Sequence, residues 1–147
     1  HHKLNTQREY YSIVDKKGLK MQYIVESTRE VDEVAKSLED NIIANGFGVL
    51  HIHNLEETMH NKGIELGEAC RIYEICNPKL AKEVMSEDMS MNMVLPCRIS
   101  VYTDKGVTKI GMINPSTLMK ESSHADKLKD VALLVEKKAQ EMMNQSK

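Results

Sequence analysis

Val31, Val34, Ala35, Leu38 and Ile42 recur at three- and four-residue intervals in an otherwise charged stretch, the period of a helix that buries one face. Ser27 with Glu30 three residues on has the form of a capping box, and Asn45-Gly46 supplies a left-handed stop. The β-rich run MQYIVES, Met21 to Ser27, leads into this helix as a strand, and FGVLHIHN follows it as another. Asn54 with Glu57 then caps a short helix through LEETMHNKG, ending at Gly63. ACRIYEIC, Ala69 to Cys76, alternates as a third strand. Asn77 reads as the N-cap and Pro78 as the first residue of a helix PKLAKEVMSED, where the missing proline N–H costs nothing. CRISVYTDKGVTKIGMIN reads as a hairpin about Asp104 to Gly106. Finally Leu128, Val131, Ala132, Val135, Ala139 and Met142 make the stripe of a long helix opened by Ser123 with Asp126.

The order β-α-β-(short α)-β-α-β-β-α contains a hairpin and few strict βαβ units. It predicts an α+β two-layer sandwich: a largely antiparallel sheet with helices on one face. The other sheet face is then solvated or covered by a second copy of the chain. The sequence shows no internal repeat and no linker, and 147 residues with 41% apolar content suit a single domain. That domain is expected over residues 21–147. His1 and His2 have the look of a purification tag and Met21 of a native start, so residues 1–20 are set aside as a leader arm. Its YYSIV segment could still pair with a sheet edge.

The formal charge is −2 with both signs interspersed, and no Lys/Arg stripe is dense enough to track phosphates, which argues against a nucleic-acid partner. No apolar run approaches the roughly 20 residues needed to span a bilayer, and the N-terminus has no apolar signal core. The expectation is a cytoplasmic protein with no membrane partner. Three irregularly spaced cysteines do not make a disulfide framework, which leaves buried thiols, a reactive thiol or a soft metal ligand.

Cys76 lies just before the N-cap of the helix at Pro78, where free N–H groups and partial positive charge can depress a thiol pKa. Cys97 follows Pro96 at the start of a strand; if that strand neighbours the one ending at Cys76, the two sulfurs approach each other. The simpler reading, which we favour for both, is that they are packed core thiols. Glu74 shares a strand face with Ile72 and Cys70. On the core face it would be a carboxylate suited to acid–base work, and on the outer face a solvated or interface residue. Met89, Met91 and Met93 with Cys97 could hold Cu(I), although core packing accounts for the alternation more simply. His51 and His53 share a strand face without an identifiable third ligand. There is no phosphate-cradling Gly-rich loop with a lysine, no G-x-S-x-G elbow and no C-x-x-C. No cofactor and no metal are expected.

FGVL at Phe47 to Leu50, the E-I-C-N-P run at Glu74 to Pro78 followed by Leu80 and Ala81, and LPCRISVY at Leu95 to Tyr102 together give the chain a family likeness. From Met21 onward it resembles the family known as domain of unknown function 302. The resemblance implies a compact α+β fold of the TATA-box-binding-protein-like class, usually homodimeric, with no established activity and no implied DNA binding. Cys76, Asn77, Pro78, Pro96 and Cys97 match its motifs; Cys70, His51, His53 and the three methionines do not. The leading expectation is a homodimeric module that binds a small, anionic ligand or a partner, with Asn77, Pro78, Pro96 and Arg98 around the site. The alternative is a thiol-dependent redox or catalytic protein with Cys76 as nucleophile, Cys97 as resolving thiol and Glu74 as proton carrier.

Overall fold

In the computed structural model, which describes residues 21–147, the apolar periods become five strands and five α-helices among the described residues. The strands are Gln22–Ser27 (β1), Gly48–Asn54 (β2), Cys70–Cys76 (β3), Cys97–Asp104 (β4) and Val107–Ile113 (β5). The helices are Val31–Ala44 (α1), Leu55–His60 (α2), Pro78–Glu87 (α3), Pro115–Met119 (α4) and Ala125–Ser146 (α5), with a 3-10 helix at Met89–Val94. The arm expected over residues 1–20, with its YYSIV segment, lies outside the described residues.

The sheet order is β1-β5-β4-β3-β2, every neighbour antiparallel, so the expected α+β sandwich with an antiparallel sheet is the fold of the chain. Strand alternation sends Val25, Tyr73, Ile75, Ile99, Val101, Ile110 and Met112 to one face. There they join Val34, Ala35, Leu38 and Ile42 of α1 and Leu128, Val131, Ala132, Val135, Ala139 and Met142 of α5 in one core. The opposite face carries His51, Glu74 and Arg98 in one cross-strand row, and His53, Ile72, Ser100, Gly111 and Ile24 in the next. At Gly111 an added Cβ would lie 3.4 Å from Ile24 and 3.5 Å from the Tyr102 ring. The glycine thus lets the tyrosine lie across the strand.

Two helix starts differ from the sequence reading. Ser27 Oγ accepts from the Arg29 N–H at 3.0 Å, a local turn, and α1 is entered at Glu30 with no side-chain cap. Likewise α5 is entered at His124 with no side-chain cap, because Ser122 and Asp88 tie up that corner. Asp88 accepts from Ser122 Oγ, and from Ser90 Oγ at 2.6 Å and Ser90 N–H at 3.0 Å, with His124 Nδ1 at 3.7 Å. These donors, Ser122 foremost, bring its pKa down to about 2. The clamp fixes the 3-10 helix against the entry to α5.

The hairpin forms as expected. Lys105 and Gly106 both take positive φ, 52° and 81°, the primed turn whose twist matches the flanking strands. Glu68 secures it, accepting from Thr103 Oγ1 at 2.8 Å and from the N–H groups of Lys105 and Gly106. The Thr103 bond above all holds the Glu68 carboxyl below its ordinary value. No helix among the described residues is long and apolar enough to cross a membrane.

Candidate functional site

Cys76 closes β3, and Asn77 turns the chain into α3. Asn77 Oδ1 accepts from the Leu80 N–H at 3.1 Å, while its Nδ2 donates to the Gly46 carbonyl at 3.1 Å. Gly46, at φ 85°, is the stop of α1, so a single side chain caps one helix and ties down the end of another. Asn77 is therefore committed to structure, and Pro78, the first residue of α3, is exposed outside the cavities described next.

Strands β3 and β4 are neighbours, with Ile75 directly opposite Cys97. Cys76 and Cys97 consequently line the same hollow with Phe47, Leu80, Val84 and Pro96. It measures about 20 Å³, room for little more than one water, and its walls are apolar. Burial pushes the Cys97 thiol up to about 11, with nearby Cys76 adding to the rise. The Cys76 and Cys70 thiols are also raised by burial. The depressed thiol expected at the start of α3 is thus reversed, because desolvation outweighs the helix end that Asn77 already caps. All three cysteines are free.

A larger cavity of about 350 Å³ opens on the other side of Pro96. Met93, Val94, Leu95, Pro96 and Cys97 wall it on one side, Ile99, Met112 and Ile113 form its floor, and Pro115, Leu118, Met119 and Ala139 close it from α4 and α5. The Leu95-Pro96 peptide is cis. Glu74 and Arg98 are the two charged residues of this lining.

Glu74 lies on the open sheet face, the second of the two placements open to it. Its Oε1 sits 2.9 Å from His53 Nε2, and the His53 ring meets His51 edge to face at 4.4 Å. No group of three metal-ligating side chains occurs among the described residues. Arg98 faces Glu74 in register, yet within the described residues it makes no hydrogen bond or ion pair. It also borders a shallow hollow of about 380 Å³ on the open face, with Ser100, Tyr102 and Gly111.

The methionine run divides. Met91 is buried in the core, whereas Met89 and Met93 are 65% and 78% exposed. A 3-10 turn spreads alternate residues around its axis, where a strand would have aligned them, so the packing expected of all three holds for Met91 alone. Sequence reasoning missed α4, which supplies Pro115, Leu118 and Met119 to the larger cavity. Its signal was present: Asn114-Pro115 repeats the helix-opening Asn77-Pro78 pair.

The family model described as Domain of unknown function DUF302 matches residues 23–146. The crystal structure of an uncharacterized conserved protein DUF302 from Bacillus stearothermophilus is similar at 31% sequence identity, covering 86% of this chain and 98% of that one, with a TM-score of 0.80. No curated protein matches the chain.

Proposed function

The chain belongs to the domain of unknown function 302 family, and from the fold this membership brings we propose that it is a small-ligand-binding module whose site is the cavity beside Pro96. The observation that carries the reading is that cavity: about 350 Å³, mostly apolar, with two charged groups in its lining. Small-molecule sites have this build, an apolar pocket that supplies affinity and a few polar groups that orient the ligand. The site thus moves from the start of α3 to the far side of Pro96, and keeps Cys97, Pro96 and Arg98 from the set expected in the sequence.

The proposal includes a homodimer in the cytoplasm. Exposed Leu50 and Ile52 on edge strand β2 support self-association, and three free thiols suit a reducing compartment. The thiol-dependent alternative draws support from the hollow that Cys76 and Cys97 share. Against it stands the burial that raises both thiol pKa values, away from the thiolate such chemistry uses.

Decanol, a neutral apolar probe, tests the site. It should raise the melting temperature of the wild-type protein by several degrees at saturation. Ala139→Leu fills the cavity from α5 and should abolish that rise. An Ala139→Leu protein that folds normally and still responds to decanol would refute the placement. Light scattering during size exclusion reads the oligomer, and a monomer at micromolar concentration would refute the dimer.

A further inference from the structure

The cavity holds one cation among its described lining residues, Arg98, and among the described residues that cation makes no hydrogen bond or ion pair. Glu74 stands opposite it in register, but the Glu74 carboxylate is 2.9 Å from His53. Arg98 thus borders two hollows, the mostly apolar cavity beside Pro96 and the shallow one on the open sheet face. An arginine presents a planar fork of N–H donors and accepts nothing, so its complement is an anion that takes two parallel hydrogen bonds.

Resting on the reading of this cavity as a ligand site, we propose that Arg98 selects a monoanionic carboxylate carried on an apolar body. The body occupies the space between Pro96 and Ala139, and the carboxylate takes the Arg98 fork at the mouth. Glu74 narrows the class further. With a fixed carboxylate in the same lining, a second negative charge on the ligand is repelled, which disfavours a phosphate dianion. A lone arginine beside an acid suits one negative charge.

The experiment titrates four probes of equal chain length, decanoate, decanol, decylamine and decyl phosphate, into the wild-type protein and into Arg98→Gln and Arg98→Lys. Arg98 is exposed, and equal melting temperatures will establish that the variants fold. The wild type should bind decanoate roughly tenfold more tightly than decanol, the scale of one charge-assisted hydrogen-bond pair. Decyl phosphate and decylamine should both bind more weakly than decanoate. Arg98→Gln should bring decanoate down to the decanol value and leave decanol unchanged, while Arg98→Lys keeps part of the preference because a point charge lacks the fork. Decanol binding with no carboxylate preference, or a preference that survives Arg98→Gln, overturns the role of Arg98 and leaves the cavity standing. Failure of both decanol and decanoate to bind overturns the cavity reading, and this inference with it.

Discussion

Tyr73 joins the sheet to α1 through one hydrogen bond, and Tyr73→Phe removes that bond while keeping the ring. The side chain is 1% exposed, and its hydroxyl donates to Glu39 Oε2 at 2.7 Å. A hydrogen bond to a charged acceptor contributes about 1.5–3 kcal/mol. Glu39 is only partly buried, so its carboxylate recovers water when the hydroxyl goes, and the lower figure applies. We expect a loss of about 1.5 kcal/mol, or about 6 °C in melting temperature at roughly 4 °C per kcal/mol for a domain of this size. The pH dependence is a sharper test. Burial first, and then the bond to Glu39, raise the Tyr73 pKa well above its ordinary value of 10. The folded protein therefore keeps the phenol proton that the unfolded chain releases above about pH 10. This contribution is complete below that pH and falls by about 1.4 kcal/mol per pH unit above it. Tyr73→Phe has no such loss. Urea unfolding from neutral pH to above pH 11 should show the wild-type advantage vanish about one unit above pH 10 and then reverse. Two stability curves that stay parallel across that range would refute the account of Tyr73 as a buried, protonated hydrogen-bond donor.

Ile99 is fully buried and forms part of the cavity floor, so Ile99→Ala should cost about 3 kcal/mol in denaturant unfolding, and a cost below about 1 would contradict its place in the core. Asp88, with its pKa held near 2 against an ordinary 3.8, stabilises the fold fully above about pH 4 and loses that contribution as pH falls toward 2. Asp88→Asn should be less stable at neutral pH and should flatten the acid limb of the stability curve, a change absent if Ser122 and Ser90 do not favour the ionised form. Cys97 in the folded protein should react with iodoacetamide at pH 8 far more slowly than a free small thiol, as followed by peptide mass spectrometry. Equal rates would show that burial does not govern this thiol.

The fold was legible where periodicity and caps carried it. The stripes of α1 and α5 come from side-chain spacing that leaves few other ways to bury those residues, and Asn54 and Asn77 cap their helices through their side-chain Oδ1 atoms. Ser27 and Ser123 show where such signals mislead. A serine three residues before an acid has several local hydrogen bonds open to it, and tertiary contacts choose among them. Of the site, the two ends ICNP and LPCR were readable, and the structure brings Cys76, Asn77, Pro96 and Cys97 around one small hollow. The larger cavity was not readable, because α4 and Ala139 close it from parts of the chain distant from LPCR. That Arg98 makes no hydrogen bond or ion pair among the described residues was not readable either. That Glu74 turns to His53 is decided by cross-strand register, which depends on the bulge between Val49 and His51.

The position of β1 has a consequence for how the molecule assembles. Strands β2, β3 and β4 each pair with the next strand in the chain, so that part of the sheet can grow by closures between consecutive strands. Among the described residues β1 pairs only with β5, Gln22 meeting Ile113. A chain emerging from the ribosome must therefore keep β1 waiting until the β4-β5 hairpin has been made, and α1 waits with it for the α5 surface it packs on. Such long-range closure slows folding. The slow step should be the docking of β1 and α1 onto a meander already formed, and changes in β1 should then alter the folding rate more than equal changes in β2.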